Sequence, residues 1–471
     1  MSAALVITLA SALALGGARR PYGGAIDVVV PDAGAALDPH LALDRPGRLL
    51  ASLVHGRLFR PVVVGDRLDV VPELAAGPGA ASEGALTITL HEGARCHDGQ
   101  LLTPADVVAT WARLAQVGPL RAMAAGVRVA EAGPRAVTFT FPRGLSADEL
   151  MMLLARPEAA MLRGGRAAST AGCGAFRPTS VAPDASGRLA LEAFAGHAEG
   201  RPWIDRIRVR VDARVELATA FRYGESDVAW EPVVGASPSA TVLPGGWTSF
   251  LVVPRPALRA PAQRDLRRRI AQLAGDARLQ RYVEGRGASA VTPWPDALAP
   301  MPTSPLPPAP SAAAVSGLVI AYPDGDAELA ELARALRDAL RSVSNDNARV
   351  VGVARLSLSS AAAEREPLWD LAVVRHGWAS LTREQAAFEL ADALGQAFGS
   401  VGAGADALAG GARRWAEGIA ARLDVIGLVH VPRGTLVAAG LRGVGAAAAT
   451  PGLVDAYRPA SRAPAPSGGP P

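Results

Sequence analysis

The stretch "ALTITLHEGARCHDGQLLTPADVVATW", residues 85–111, changes its period partway through. Leu86, Ile88 and Leu90 alternate with Thr87 and Thr89, the period of a strand with one face buried. "HDGQ" then reads as a turn, because Gly accepts a positive φ and Asp bonds its own backbone. Thr103 stands three residues before Asp106, with Pro104 at the first helical position, which is an N-cap with a capping-box acid. Val107, Trp111 and Leu114 share one face of the helix that follows. A half-buried strand leading through a turn into a capped helix points to an α/β fold.

The same stretch sets His91, Glu92, Cys96, His97 and Asp98 close together, so a metal or redox centre competes with the turn. The spacing of His91, Cys96 and His97 matches no metal signature and a fourth ligand is missing, so the turn reading wins and no metal is expected. Cys96 and Cys173 are the two cysteines of the chain. In an oxidising compartment they can pair; otherwise each is a small buried hydrophobe.

At 471 residues the chain exceeds one hydrophobic core and predicts two or three domains. Hydrophobic residues at 49% and charged residues at 20% are ordinary for a globular protein and exclude wholesale disorder. All 48 basic residues are Arg, against 44 acidic ones, but they are interleaved with acids and form no basic stripe, so no nucleic-acid partner is expected. Residues 1–24 carry an apolar run from Ala3 to Leu15 followed by small residues, the pattern of a signal peptide or, if uncleaved, a short N-terminal anchor.

Other strands are expected at "AIDVVVP" (25–31), 134–144, "GRLALEAFAGH", "WIDRIRVRVDA", "GLVIAYP", "RVVGVARLSLS" and "WDLAVVRHGW". Helices are expected after Arg48, at "SADELMMLLA", at "RVELATAFRYG", through "QRDLRRRIAQLAGDARLQRYV", at "AELAELARALRDALRSV" and from Arg383. The Pro-rich 293–310 reads as a linker or surface loop, and 458–471 as a disordered tail. There is no G-x-S-x-G elbow, no H-E-x-x-H and no P-loop, and the seven histidines are scattered, so no catalytic residue and no cofactor is expected.

Six segments in order carry a resemblance. "LDPH", "VPELA" (71–75), "HDGQLLTPADVVATW", "GCGAF" (172–176), "YGESDVAW" and "DLRRRIAQLAGD" resemble the family 5 extracellular solute-binding proteins, the peptide-, nickel- and haem-capturing receptors of ABC importers. The resemblance implies a two-lobe α/β fold of the periplasmic-binding-protein type (type II) with an extra peripheral subdomain. Lobe I would take 25–250 plus 425–457, with 50–168 peripheral, and lobe II 251–424, including the Pro-rich 293–312. It implies a monomer in the periplasm that closes on a peptide or other small solute and delivers it to an ABC permease in the inner membrane. The ligand residues implied are Trp378 and Arg375 of "RHGW", then Trp230 and Glu231. Core packing for Trp378 and surface pairing for Arg375 stay open beside that. Relatives that bind peptides carry an Asp shortly after this Trp to hold the ammonium; here Ala379, Ser380, Leu381 and Thr382 follow. Val253 and Pro254 also stand where relatives place Asn. Both departures argue against peptide capture, and a scaffold or regulatory protein of the cell envelope that keeps the fold is the alternative.

Overall fold

Two long antiparallel strands run through the middle of the molecule and belong to both of its halves. The computed structural model describes residues 21–30, 38–41, 45–64, 67–118, 120–142, 145–166, 172–180, 182–212, 217–231, 240–279, 288–289, 292–298, 317–324, 326–344, 347–353, 369–378, 386–387, 389–390, 412–444 and 453–458. Residues 1–20 of the expected signal or anchor segment (1–24), most of the Pro-rich stretch, and 459–471 of the expected tail (458–471) lie outside them.

In the first half the strands are β1 (Ala25–Val30), β2 (Phe59–Val64), β3 (Arg67–Pro72), β4 (Ala80–Ser82), β5 (Ala85–Thr89), β6 (Arg128–Gly133) and β7 (Ala136–Thr140). They continue with β8 (Phe176–Pro178), β9 (Arg188–Ala193), β10 (Arg206–Val211) and β11 (Val228–Glu231). β12 (Ala240–Pro254) crosses over, the second half holds β13 (Ala288–Ser289), β14 (Val319–Pro323), β15 (Arg349–Val353) and β16 (Leu371–Gly377), and β17 (Ile426–Ala438) returns. One sheet runs in the order β15-β14-β16-β12-β17-β11-β1-β10-β9-β8, with β13 beside β17. β14 is parallel to β15 and β16, β1 is parallel to β10 and β11, and the crossing ribbon is antiparallel throughout. A separate four-stranded sheet, β4-β5-β7-β6, and the β2-β3 hairpin form a peripheral layer.

The helices are α1 (Arg45–Val54), α2 (Pro104–Leu114), α3 (Arg121–Ala125), α4 (Ala147–Leu154), α5 (Leu217–Arg222), α6 (Arg264–Gln272), α7 (Ala327–Ser344) and α8 (Ala412–Arg422). The mixture of strands and helices is the expected α/β class. α2 begins as its sequence dictates: Thr103 Oγ1 accepts from the Asp106 amide, and the Asp106 carboxylate accepts from the Thr103 amide. Val107, Trp111 and Leu114 are buried, and the Trp111 indole N–H donates to the Ala124 and Val127 carbonyls. α4 has the same box, built by Ser146 and Glu149.

Three readings need correction. Trp294, placed in a Pro-rich surface loop, is buried, meets Trp415 edge-on and donates its N–H to the Ala386 carbonyl. Flanking prolines hid a core residue, because an extended strap exposes few side chains but can insert one. Arg458, read as tail, is tied to Asp227 (2.6 Å) and to the Ala25 carbonyl (3.0 Å). The expected helix from 263 breaks after Gln272: a 3-10 turn covers Leu273–Gly275, and Asp276 is extended.

Candidate ligand site

The opening cluster folds as a turn. Asp98 Oδ1 accepts from the Gln100 amide at 3.0 Å, and Gly99 sits at φ +81°, a conformation that costs any residue with a Cβ. His97 Nε2 donates to the Gly174 carbonyl at 3.0 Å, and the His97 amide to the Gly172 carbonyl at 2.8 Å. Cys96 and Cys173 form a disulfide across these same segments. Gly172 and Gly174 flank Cys173 because the end of α1 leaves no room: a Cβ there would meet the Val54 carbonyl oxygen at 2.1 Å and that of Leu53 at 2.4 Å. Among the described residues no group of His, Cys, Asp and Glu could hold a metal.

The other quoted motifs are joints of the same kind. In "LDPH", Asp38 takes both ends of the Arg113 guanidinium at 3.0 and 2.7 Å. His40 accepts from Arg113 on Nδ1 and donates from Nε2 to the Ala160 carbonyl. Burial is the main reason that imidazole stays neutral, its pKa lowered to about 4. In "VPELA", buried Glu73 is bonded by Arg57 at 3.0 Å; burial pushes its carboxyl up, and Arg57 only partly offsets that. In "GESDVAW", Ser226 and Asp227 bond the β1 amides of Val29 and Asp27.

The expected ligand residues separate into two places. Arg375 lies in the last pairs of β16 and Trp378 directly follows its end. Trp230 and Glu231 end β11, opposite Thr435 and Gly434 of β17, and their side chains lie outside the described ones. By strand register the two pairs stand about 13 Å apart along the ribbon and three strands, or about 14 Å, across it.

Trp378 is 2% exposed and its N–H donates to Ser249 Oγ at 2.7 Å. Ser249 Oγ lies 2.6 Å from His430 Nδ1, and His430 Nε2 lies 3.1 Å from the Thr292 carbonyl. A carbonyl only accepts and an indole only donates, so one arrangement satisfies the relay: Nε2 carries the proton, and the hydroxyl donates to Nδ1. Burial holds His430 neutral, its pKa lowered to about 4, which agrees with that tautomer. A serine–imidazole pair this deep is a strut between the crossing strands. Arg375 is half exposed and already clasped, 3.1 Å from Asp326 and 3.1 Å from Glu328 at the start of α7. Arg433 reaches the same Glu328 at 3.7 Å.

Sequence reasoning missed the charged seam beside Trp378. Arg48 of α1 donates to Glu158 at 2.6 Å and to the Gly377 carbonyl at 3.3 Å. Arg156 lies 3.5 Å from Glu158 and 3.4 Å from Glu389, while Arg48 approaches Glu389 at 3.8 Å. His376 Nε2 is 3.4 Å from Glu389, and its ring meets Trp378 edge-on at 4.4 Å. Burial pushes both carboxyls up, but Arg156 and Arg48 outweigh it and hold Glu158 and Glu389 below the usual carboxylate range, with His376 adding to the pull on Glu389. The signal in the sequence was an Arg and a Glu inside an otherwise apolar run, "MMLLARPEAAMLR".

Two α/β halves joined by a pair of crossing strands, with a peripheral layer on the first, are the two-lobe fold of the periplasmic binding proteins. Residues 69–250 match the family model described as bacterial extracellular solute-binding proteins, family 5 Middle. A substrate binding protein from Microbacterium hydrocarbonoxydans complexed with 4-hydroxybenzoate hydrazide has the same fold, with a TM-score of 0.65 at 18% identity over 92% of this chain and 100% of that one. NikA from Brucella suis, in complex with Fe(III)-EDTA, gives 0.67 at 15% over 93% and 100%. The oligopeptide-binding protein AppA from Bacillus subtilis, in complex with a nonapeptide, gives 0.68 at 13% over 94% and 100%. No curated protein matches the chain by sequence. The family match over residues 69–250 and the structural neighbours are consistent with a divergent family 5 extracellular solute-binding protein. Proteins of that family are extracytoplasmic binders serving ABC importers, not enzymes. Among the described residues no helix is long and apolar enough to cross a membrane.

Proposed function

We propose that this protein is the extracytoplasmic substrate-binding component of an ABC importer, capturing a small solute between its halves and handing it to a permease. The observation that carries this reading is the β12–β17 ribbon, the sole strand connection between the halves among the described residues, in a chain whose middle matches a solute-binding family. Hinge closure draws its free energy from contacts that the ligand makes better in the closed state. The β16 end, with Arg375 and Trp378, supplies the second half's side of the seam, and Trp230 and Glu231 mark the far end of the ribbon. No Asp follows Trp378 within four residues, which favours a solute without a peptide's ammonium. Relatives of this fold hold ligands as unlike as a nonapeptide and Fe(III)-EDTA, so fold alone does not set the ligand.

A thermal-shift screen with peptides, chelated metals and aromatic or acidic solutes tests the reading. A ligand at a hundred times its Kd should stabilise the protein by about 2.7 kcal/mol. Failure of every class to raise the melting temperature would favour the envelope scaffold.

A further inference from the structure

A second charged cluster lies within the first half, where the β2–β3 hairpin meets the loop between β9 and β10. Arg57 precedes β2, Arg60 lies in it, and Glu73 directly follows β3; His197 and Glu199 come from the loop. The side chains of Glu73 and His197 are 2% and 1% exposed. Arg57 Nε donates to Glu73 Oε2 at 3.0 Å, and its Nη1 to the Ala155 carbonyl. Arg60 Nε donates to both Glu199 oxygens at 3.1 Å and Arg60 stands 3.9 Å from Asp455. His197 is the member left over. Its Nε2 is 4.0 Å from Glu73 Oε1, beyond hydrogen-bond reach, and neither ring nitrogen meets a hydrogen-bond partner among the described residues.

We propose that Glu73 and His197 form a proton site. As pH falls Glu73 takes one proton, and its new O–H donates to His197 Nε2, bracing the 194–200 loop against the β2–β3 hairpin. Water supplies the proton, Glu73 Oε1 binds it, and the imidazole contributes a lone pair. This goes beyond the receptor reading and needs no solute.

The charged groups facing the pair are Arg57, Arg60, Glu199 and Asp455. With Glu73 ionised, two guanidiniums face three carboxylates; one proton brings that sum to zero. Burial pushes the Glu73 carboxyl up, and Arg57 and Arg60 oppose it. Burial also pushes His197 down, against the pull of Glu199; the Gly200 backbone is near enough to favour the charged ring, but its geometry falls short of a hydrogen bond. Both directions put the proton on the carboxyl and keep the ring neutral, able to accept. Glu199 is raised by burial as well, yet both its oxygens already serve Arg60 and its side chain is 30% exposed. A carboxyl raised in the fold contributes stability that is full below its ordinary value of 4.5 and is lost as pH rises through the raised one. The brace therefore loosens as pH rises.

The experiment follows the full-length, oxidised protein from pH 5 to pH 8. Hydrogen exchange, corrected for its intrinsic pH dependence, reads amide protection, and NMR of nitrogen-labelled histidine reads the ring, with His197→Leu identifying the signal. Amides at 194–200 should lose protection by up to about tenfold per pH unit above the Glu73 transition. His197 should stay neutral, with its proton on Nδ1 at the acid end. Glu73→Gln, whose amide can donate to Nε2, should hold the acid-end protection throughout, and His197→Leu should show none of the pH dependence. Glu131→Gln on exposed β6 should match wild type. Should Glu73→Gln fail to fold, the wild-type series and His197→Leu decide alone. Protection that is flat with pH in wild type, a pH dependence that survives His197→Leu, or an imidazolium at His197 overturns the proposal. Because no ligand enters, that failure leaves the receptor reading standing, and a failed ligand screen leaves the proton site standing.

Discussion

Opening the Cys96–Cys173 disulfide gives the most direct measure of how the peripheral layer is held. The bond closes a sequence separation of 77 residues. In the chain-entropy account such a loop costs the unfolded chain about 15 cal/mol/K, or about 4.5 kcal/mol at 25 °C. How that appears on heating depends on what unfolds together. At about 2.1 cal/mol/K per residue, the 471-residue chain has an unfolding entropy of about 1.0 kcal/mol/K, so a single cooperative transition would fall by about 4.5 °C. If a unit reaching from residue 50 to Cys173 unfolds on its own, the entropy is about 0.26 kcal/mol/K and that transition falls by about 17 °C. Calorimetry of the double variant Cys96→Ala/Cys173→Ala against the oxidised wild type separates the two, since only the second splits the trace. A double variant that melts within 1 °C of wild type would refute the loop-closure reasoning.

Three further outcomes follow from the geometry. Gly174→Ala should destabilise by about 2 kcal/mol or more in urea unfolding, because its Cβ would meet the Leu53 carbonyl at 2.4 Å; Gly77→Ala, with open space around it, should not. Thr103→Ala should cost about 1 kcal/mol by the same assay, with Thr103→Ser close to wild type. His40 and His430 are held neutral with pKa values lowered to about 4, so unfolding takes up a proton at each below pH 6.5. Stability is therefore full above that pH and lost as pH falls toward 4, by up to about 1.4 kcal/mol per pH unit for each histidine. His430→Gln should remove its share of that slope in urea titrations at pH 7, 6 and 5.

What could be read from the chain was what the chain settles locally. The α2 start needs only Thr103, Pro104 and Asp106 in order, and the turn before it needs only Asp98 and Gly99, so spacing alone gave both. The motifs that carried the family resemblance proved legible as patterns but opaque as mechanism: "GCGAF" is glycine-flanked because α1 lies against it, a neighbour 120 residues upstream that no local rule reveals. The charged seam was hidden for the same reason. Arg48, Arg156 and Glu389 are scattered over 341 residues, and only folding decides that their charges cancel. Trp378 and Arg375 were singled out from one short segment, yet the structure gives them different surroundings: an indole spent on Ser249 and a guanidinium spent on Asp326 and Glu328. Adjacency in sequence fixed neither fate, because alternate residues of a strand face opposite sides.

The pairing of β12 with β17 slips twice, between Pro244 and Trp247 and again between Phe250 and Leu251. Irregularities of that kind add local twist and bend a ribbon where they fall. A connection that is continuous elsewhere yields by torsion at such points more readily than by swinging about a single pivot. Any relative motion of the two bodies would then be a screw-like rotation about the ribbon axis, and the set of ligands admitted would depend on pitch as much as on aperture.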